Sequence, residues 1–440
     1  MHVQSVSSHQ GSIPTRQGVQ ISIVLTAFAC RSLRLILLYD RRPTSAISTI
    51  SHSINRFPKM RICPSTAYHA TLLFCSTVFL LSSPGYAYEP LSDKSLRELP
   101  RPDHDFDPQT GALLAKILQP RVPNSAGSAA VRNHFIDFFR DNLPEWNIEL
   151  QRFHAKTPIS RGKGIEFVNF IASRDPPGTE KENVGRITLV AHYDSLSTPE
   201  GFIGAIDSAG PCAIILHVVR TLNTALSRKW GLSSQSTQPL GIQVLFLDGE
   251  EAFVEANATD SMYGSRSLAA EWAQDTYPPG SKFDNRISSI SIFILLDLLG
   301  AKSPRIQSYF PETHWAYLEM SSLERRLRCL KQFKSEESAG SDFWFIDGLD
   351  REHPSNKRLI YDDHIPFLKH NVSTLHVIDV DPVTGDFPQV WHTLLDDGNH
   401  LDLDVMGDWA LLITAFVGSL AGLEGYMNFT EDIQPNIHGF

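Results

Sequence analysis

Along the chain, short continuous apolar runs alternate with longer stretches whose apolar residues recur at helical spacing. Residues 187–191, 242–247, 290–296 and 374–378 are apolar runs of strand length without regular polar alternation. Such runs fit strands buried on both faces. Helical spacing is expected over 113–139, 212–222, 263–273 and 409–423, with Ser208 and Pro211 opening the second of these. Interleaved helices and apolar strands predict an α/β fold with a sheet covered on both sides. The polar stretches 231–238 and 335–341 read as loops, and no internal repeat is seen.

The N-terminal region follows a different pattern. Residues 71–83 are mostly apolar, Arg61 precedes them, and small or turn-forming residues lead up to Ala87. This matches a secretory signal peptide over 60–87, and the run is short for a membrane span. Met60 then stands as the candidate start. Residues 1–59 are expected to be an upstream misassigned or disordered extension. The alternative is a signal anchor that holds the protein in the Golgi. Residues 88–110 form an irregular lead-in, one domain occupies 111–427, and 428–440 are a C-terminal tail. The expected location is outside the cell or in the secretory lumen.

Composition narrows the classes of function. Charged residues are 20% of the 440, the net charge is −10, and basic residues are not clustered. A disordered chain and a nucleic-acid partner are therefore not expected. Of the 5 cysteines, only Cys212 and Cys329 follow the apolar leader, which excludes a disulfide scaffold and leaves one bridge open. Asn257-Ala258-Thr259, Asn371-Val372-Ser373 and Asn428-Phe429-Thr430 are glycosylation acceptor triplets.

The chemistry collects where the apolar runs end. His192-Tyr193-Asp194 follows the first run, Asp248-Gly249-Glu250-Glu251 the second, Asp297 the third, and Trp391-His392 comes after the fourth. In open α/β sheets the carboxyl ends of strands border the ligand crevice, and histidine with carboxylates there suits zinc. Neighbours on a strand face opposite ways. Glu250 and Glu251 can therefore share a site only if the chain turns, and Asp248-Gly249 supplies a turn signal. The plain alternative is a solvated acidic loop. His376, on a strand, reads as a buried residue with its polar needs met.

The set His192-x-Asp194, Asp207, Glu250-Glu251, Asp297 and His392 resembles the zinc aminopeptidase-like metallopeptidases. The blocks 204–209, 246–253, 260–266, 295–301, 362–368 and 387–393 are similar to the glutaminyl cyclases within that group, in the same order, so the resemblance spans about 125–425. It implies a single-domain three-layer α/β/α sandwich with a central mixed, mostly parallel sheet. It implies one zinc on Asp207, Glu251 and His392, with Glu250 moving the proton and Asp297 and Asp362 sharing an acidic network with it. Trp391 would line the substrate pocket and Phe387 its mouth, while His192 and Asp194 would support the ligands without binding metal. Asp363 and His364 would fix their loop. Tyr263, Gly264, Ser265 and Arg266 would be structural, with Arg266 pairing a carboxylate. The implied reaction is cyclisation of an N-terminal glutamine to pyroglutamate with release of ammonia. The partners would be peptides beginning with Gln, with Glu as a second candidate, acted on by a monomer.

Two positions depart from the resemblance. Ala256 stands where the secreted animal enzymes carry a pocket tryptophan, and Ala191 stands where they carry a cysteine bridged to the equivalent of Cys212. Two rival readings remain. A two-zinc aminopeptidase would use His192, Asp207, Glu251, Asp297 and His392. A binding protein that had lost catalysis is disfavoured, because Asp207, Glu250, Glu251 and His392 are all present.

Overall fold

The four apolar runs become the parallel part of one sheet. The computed structural model describes residues 88–232, 238–335, 343–354 and 359–427, plus two short strands nearer the N-terminus. Those two, β1 (Ile21–Val24) and β2 (Ile36–Tyr39), pair antiparallel in a unit of their own. The leader at 60–87 and the tail at 428–440 lie outside the described residues.

The main sheet contains β3 (Asn147–Lys156), β4 (Gly164–Arg174), β5 (Gly185–His192), β6 (Leu240–Leu247), β7 (Ile290–Asp297) and β8 (Thr374–Ile378). Their order is β3-β4-β6-β5-β7-β8. β6, β5, β7 and β8 run parallel, and β4 and β3 close one side antiparallel. The described helices are α1 (Asp93–Glu98), α2 (Ala126–Asn142), α3 (Gly210–Leu232), α4 (Tyr263–Gln274), α5 (His314–Cys329), α6 (His364–Leu368) and α7 (Leu403–Leu420).

The strand pattern explains the three layers. Ile187, Leu189, Ala191, Val244, Phe246, Ile294 and Leu296 join the core shared with α2, α3, α5 and α7. Val190, Leu245, Leu247, Phe293 and Leu295 face the smaller core built with Leu268 and Trp272 of α4 and Phe367 of α6. Successive side chains point to opposite faces, so a strand buried on both must be apolar throughout. The mixed, mostly parallel sheet with helices on both sides agrees with the expected fold class. α3 and α7 are long and apolar enough to cross a membrane, but 89% of each apolar window is buried inside the fold, as expected of core helices.

Several boundaries differ from expectation. The helix expected over 113–139 is α2 alone, beginning at Ala126 with Ser125 as its cap. Pro120 and Pro123 break the earlier part, because proline disfavours helical geometry in the residue before it. The lead-in contains α1 and a short 3-10 turn at Asp103–Phe106. α7 starts earlier than expected, at Leu403, where Asp402 accepts a hydrogen bond from the Val405 amide at 2.9 Å. β3, β4 and α5 were not anticipated. β3 is an edge strand with exposed and half-buried residues, so it lacks the continuous apolar run that marked the others. α3 extends to Leu232 into the stretch expected to be a loop, and 233–237 and 336–342 lie outside the described residues. Cys212 and Cys329 are both free thiols, so the bridge left open does not form.

Candidate active site

The parallel direction of β5, β6 and β7 brings three chemical endings to one edge. β5 ends at His192, β6 passes into Asp248, and β7 ends at Asp297. The chain turns sharply after β6. Gly249 has φ +78°, and a Cβ there would lie 2.5 Å from the Phe167 ring. Only glycine meets both conditions without strain. The turn is held by Val168 N donating to Asp248 Oδ2 at 2.8 Å, and by Tyr263 N donating to the Gly249 carbonyl at 2.7 Å. Asp194 is fully buried, and its carboxylate accepts the amides of Glu250 at 3.1 Å and Glu251 at 3.2 Å. Both glutamates therefore border the same cleft.

Asp207 lies in an irregular turn before α3, with non-helical dihedrals and a cis peptide to Ser208. Its Oδ1 is 2.9 Å from His192 Nε2, and its Oδ2 is 3.5 Å from His392 Nε2. His392 Nε2 is also 3.5 Å from Glu251 Oε2. One ligand atom each from Asp207, Glu251 and His392 falls within 4.8 Å of the others. Among the described residues, buried Glu251 Oε1 has no partner, which is costly unless something cationic or protic meets it. One imidazole nitrogen and two carboxylates around a shared point suit a catalytic zinc with an open fourth position. The His392 side chain is 34% exposed, against 5% for Asp207, so the opening faces the cleft.

Among the described residues, two other groups bring three ligand atoms equally close together. His192, Asp207 and Asp297 share Asp207 with the first. There, however, Asp297 Oδ1 accepts Ser208 Oγ at 2.5 Å and Leu298 N at 2.9 Å, and His192 is already bonded to Asp207. Asp362, His364 and His376 form a fully buried group. In it His376 Nε2 is 2.8 Å from Asp362 Oδ2, and His376 Nδ1 lacks a partner.

The electrostatics follow from burial among acids. Burial and then Asp362 push Glu250 well above the ordinary carboxyl range. Burial and Asp207 raise Glu251 to about 7, against the pull of His392. Burial would raise Asp207, but hydrogen bonds with His192 and His392 hold it below its usual value. Burial would lower His392, yet Asp207 and Glu251 lift it to about 10. Asp297 and Asp362 are both raised, first by burial.

The cleft has a volume of about 1010 Å³, and its lining includes Asp207, Glu250, Glu251, Asp297, Asp362 and His392. Trp391 stacks on His392 with centroids 3.7 Å apart, and Phe387 packs 4.4 Å from Trp391. Ala256 also borders the cleft. Every residue singled out for the site thus lies in the cleft wall or, for His192 and Asp194, just behind it. Arg266 pairs with no carboxylate among the described residues. It donates to the carbonyls of Met262 and Thr259 and lies over the Tyr263 ring. Arg121 and Asp396, which hold the Asp207 turn, were missed. Arg121 sits between two prolines and Asp396 in an Asp-Asp-Gly turn, and neither carries a recognisable signal.

Comparison with known proteins agrees with this geometry. Residues 169–417 match the family model "Peptidase family M28". A glutaminyl-peptide cyclotransferase-like protein of Mus musculus is 37% identical over 72% of this chain and 77% of its own length. A glutaminyl-peptide cyclotransferase of Drosophila melanogaster is 35% identical over 78% of this chain and 86% of its own. The crystal structure of Macrostomum lignano glutaminyl cyclase superposes with a TM-score of 0.62 at 28% identity, covering 76% of this chain and 95% of that one. With the cleft, the turn at Gly249 and the convergent carboxylates in place, this chain belongs to peptidase family M28, among the glutaminyl-peptide cyclotransferases.

Proposed function

We propose that the protein cyclises N-terminal glutamine of peptides to pyroglutamate, using one zinc held by Asp207, Glu251 and His392. The observation that carries the reading is the Gly249 turn, which sets Glu250 beside these three ligands in one cleft. Bound zinc would supply Lewis-acid polarisation of the substrate's side-chain amide.

The chain's own residues do the rest. In the reaction the substrate α-nitrogen bonds to its side-chain amide carbon, the bond from that carbon to the amide nitrogen breaks, and ammonia leaves. The α-amine loses a proton and the departing nitrogen gains one. Glu250 can move that proton from one to the other: its carboxyl borders the cleft, and burial and Asp362 raise its affinity for a proton. Asp362 supplies part of that negative field, and Asp297, itself raised by burial and Asp362, lines the same cleft. Trp391, stacked on His392, gives the flat wall against which a glutamine side chain folds back on its own amine. Peptides beginning with Glu are the second substrate candidate, and the chain acts as a monomer.

The test is ammonia release with product mass on Gln-initiated and Leu-initiated peptides, with zinc content measured on the same sample. Loss of ammonia from the Gln peptide alone, with one zinc per chain, is expected. A free N-terminal amino acid and two zincs would instead make this an aminopeptidase, with His192 as a metal ligand. The reading extends to the secretory lumen, where Asn257 and Asn371 stand exposed as glycan acceptors. A protein from its own cells whose mass is unchanged by N-glycan removal would count against that location.

A further inference from the structure

The segment that carries Asp207 is short and irregular. Gly204 has φ +63°, and a Cβ there would lie 2.2 Å from the Asp207 carbonyl oxygen, so the turn is as tight as a chain allows. The turn has few main-chain bonds of its own, among them Ala209 N donating to the Gly204 carbonyl at 3.2 Å and Gly210 N to the Ala205 carbonyl. Two buried side chains outside the cleft add to them.

The first is Arg121, 0% exposed. Its guanidinium donates to the carbonyl of Ile203, to that of Gly204 at 2.9 Å and to that of Asp207 at 3.2 Å. Its own amide donates to Ser195 Oγ at 2.9 Å. A guanidinium buried without a bidentate carboxylate is costly, and here it is met by main-chain oxygens of one turn. The second is Asp396. Its Oδ1 accepts the Ile206 amide at 2.7 Å, and its carbonyl accepts the Ala205 amide at 3.1 Å. Its own amide donates to the Thr393 carbonyl at 3.0 Å, one residue after His392. Asp396 therefore bonds the Asp207 turn to the His392 turn, while Arg121 bonds the carbonyls of the same turn.

We propose that Arg121 and Asp396 are positioning residues that clamp the Asp207 turn against the His392 turn and so preset the distance between two metal ligands. This rests on the zinc reading above. Neither side chain touches substrate or ligand atoms. They act on the backbone that aims the Asp207 carboxylate, as outer-shell partners commonly do for metal ligands. Arg121 is suited to the task because its planar fork reaches several carbonyls at once, which a lysine ammonium does less well.

The test is zinc affinity by competition with a chelator, on the full protein with its fold checked by circular dichroism. Arg121→Met is expected to weaken zinc binding about 10- to 100-fold, the range typical of lost outer-shell partners, with Arg121→Lys recovering part of it. Asp396→Ala should weaken it in the same range. Asp396→Asn, whose amide oxygen can still accept from Ile206, should stay near the parent. At saturating zinc the variants should regain much of their turnover with KM little changed. A folded Arg121→Met protein that binds zinc as tightly as the parent would overturn the clamp. If Arg121→Met does not fold, the Asp396 pair decides, and equal affinity for Asp396→Ala and the parent overturns it. A parent that binds no zinc removes the metal reading itself, a result distinct from equal affinities.

Discussion

Two clusters of imidazole and carboxylate each bring three ligand atoms within 4.8 Å of one another, yet their surroundings treat charge in opposite ways. At Asp207, Glu251 and His392 the acids prevail. Burial would lower His392, but its two carboxylate neighbours lift it to about 10. That cluster attracts positive charge and opens to the cleft. At Asp362, His364 and His376 burial prevails. It lowers His364 to about 3, helped by His376, and lowers His376 to about 4. That cluster rejects positive charge, and neutral His376 meets Asp362 in a 2.8 Å hydrogen bond. Convergent ligand types thus meet opposite electrostatics, and a catalytic zinc site needs an open coordination position as well as its ligands.

The contrast can be broken most sharply at the proton carrier. Glu250→Gln keeps the shape but cannot take a proton, so turnover should fall about 10²- to 10⁴-fold with zinc content unchanged. Parent-like turnover in a folded, zinc-loaded variant would take Glu250 out of this role. Next come the ligands. Asp207→Ala or His392→Ala should lose zinc, whereas His364→Gln should keep one zinc per chain. Metal analysis that finds the reverse would exchange the two clusters.

A smaller effect is expected where the clusters communicate. His376→Gln loosens Asp362, which neighbours Glu250, and should lower turnover by roughly 10- to 100-fold, as outer-shell losses do, while zinc affinity stays the same. Loss of zinc in this variant would mean that the deep cluster supports the metal directly. The smallest effect is on stability. His364 and His376 are depressed in the folded state, so the unfolded chain takes up protons that the folded one refuses as pH falls from 6.5 toward 4. Each should remove about 1.4 kcal/mol of stability per pH unit across that window. Denaturant titrations at pH 6.5 and pH 5 check this, and His364→Gln should remove its share of the slope. An unchanged slope would show that these rings are protonated in the fold.

How much was readable in advance varied with the kind of residue. The strand holding His192 was marked by its apolar run, and Glu250-Glu251 by the glycine turn before it. Those features are local, so the sequence carries them. The antiparallel strands β3 and β4 were not marked. β3 is half-exposed at an edge, and its mixed side chains suit strand or loop until a partner is known. The helix expected from 113 onward was cut short by prolines whose effect the apolar spacing had outweighed. Arg266 was expected beside a carboxylate, but the acceptors its guanidinium bonds are the carbonyls of Met262 and Thr259.

What the sequence determined by itself was an α/β chain with buried strands, the carboxylates and histidines that end them, and the resemblance those blocks carry. These follow from side-chain periodicity and from residues only a few positions apart. The tertiary structure decided which acids share a site, which histidine opens to the cleft, and why Arg121 and Asp396 are buried behind it. Those outcomes depend on parallel crossovers that bring together residues distant in sequence. They depend equally on the balance between desolvation and neighbouring charge, which exists only once the chain has closed around them.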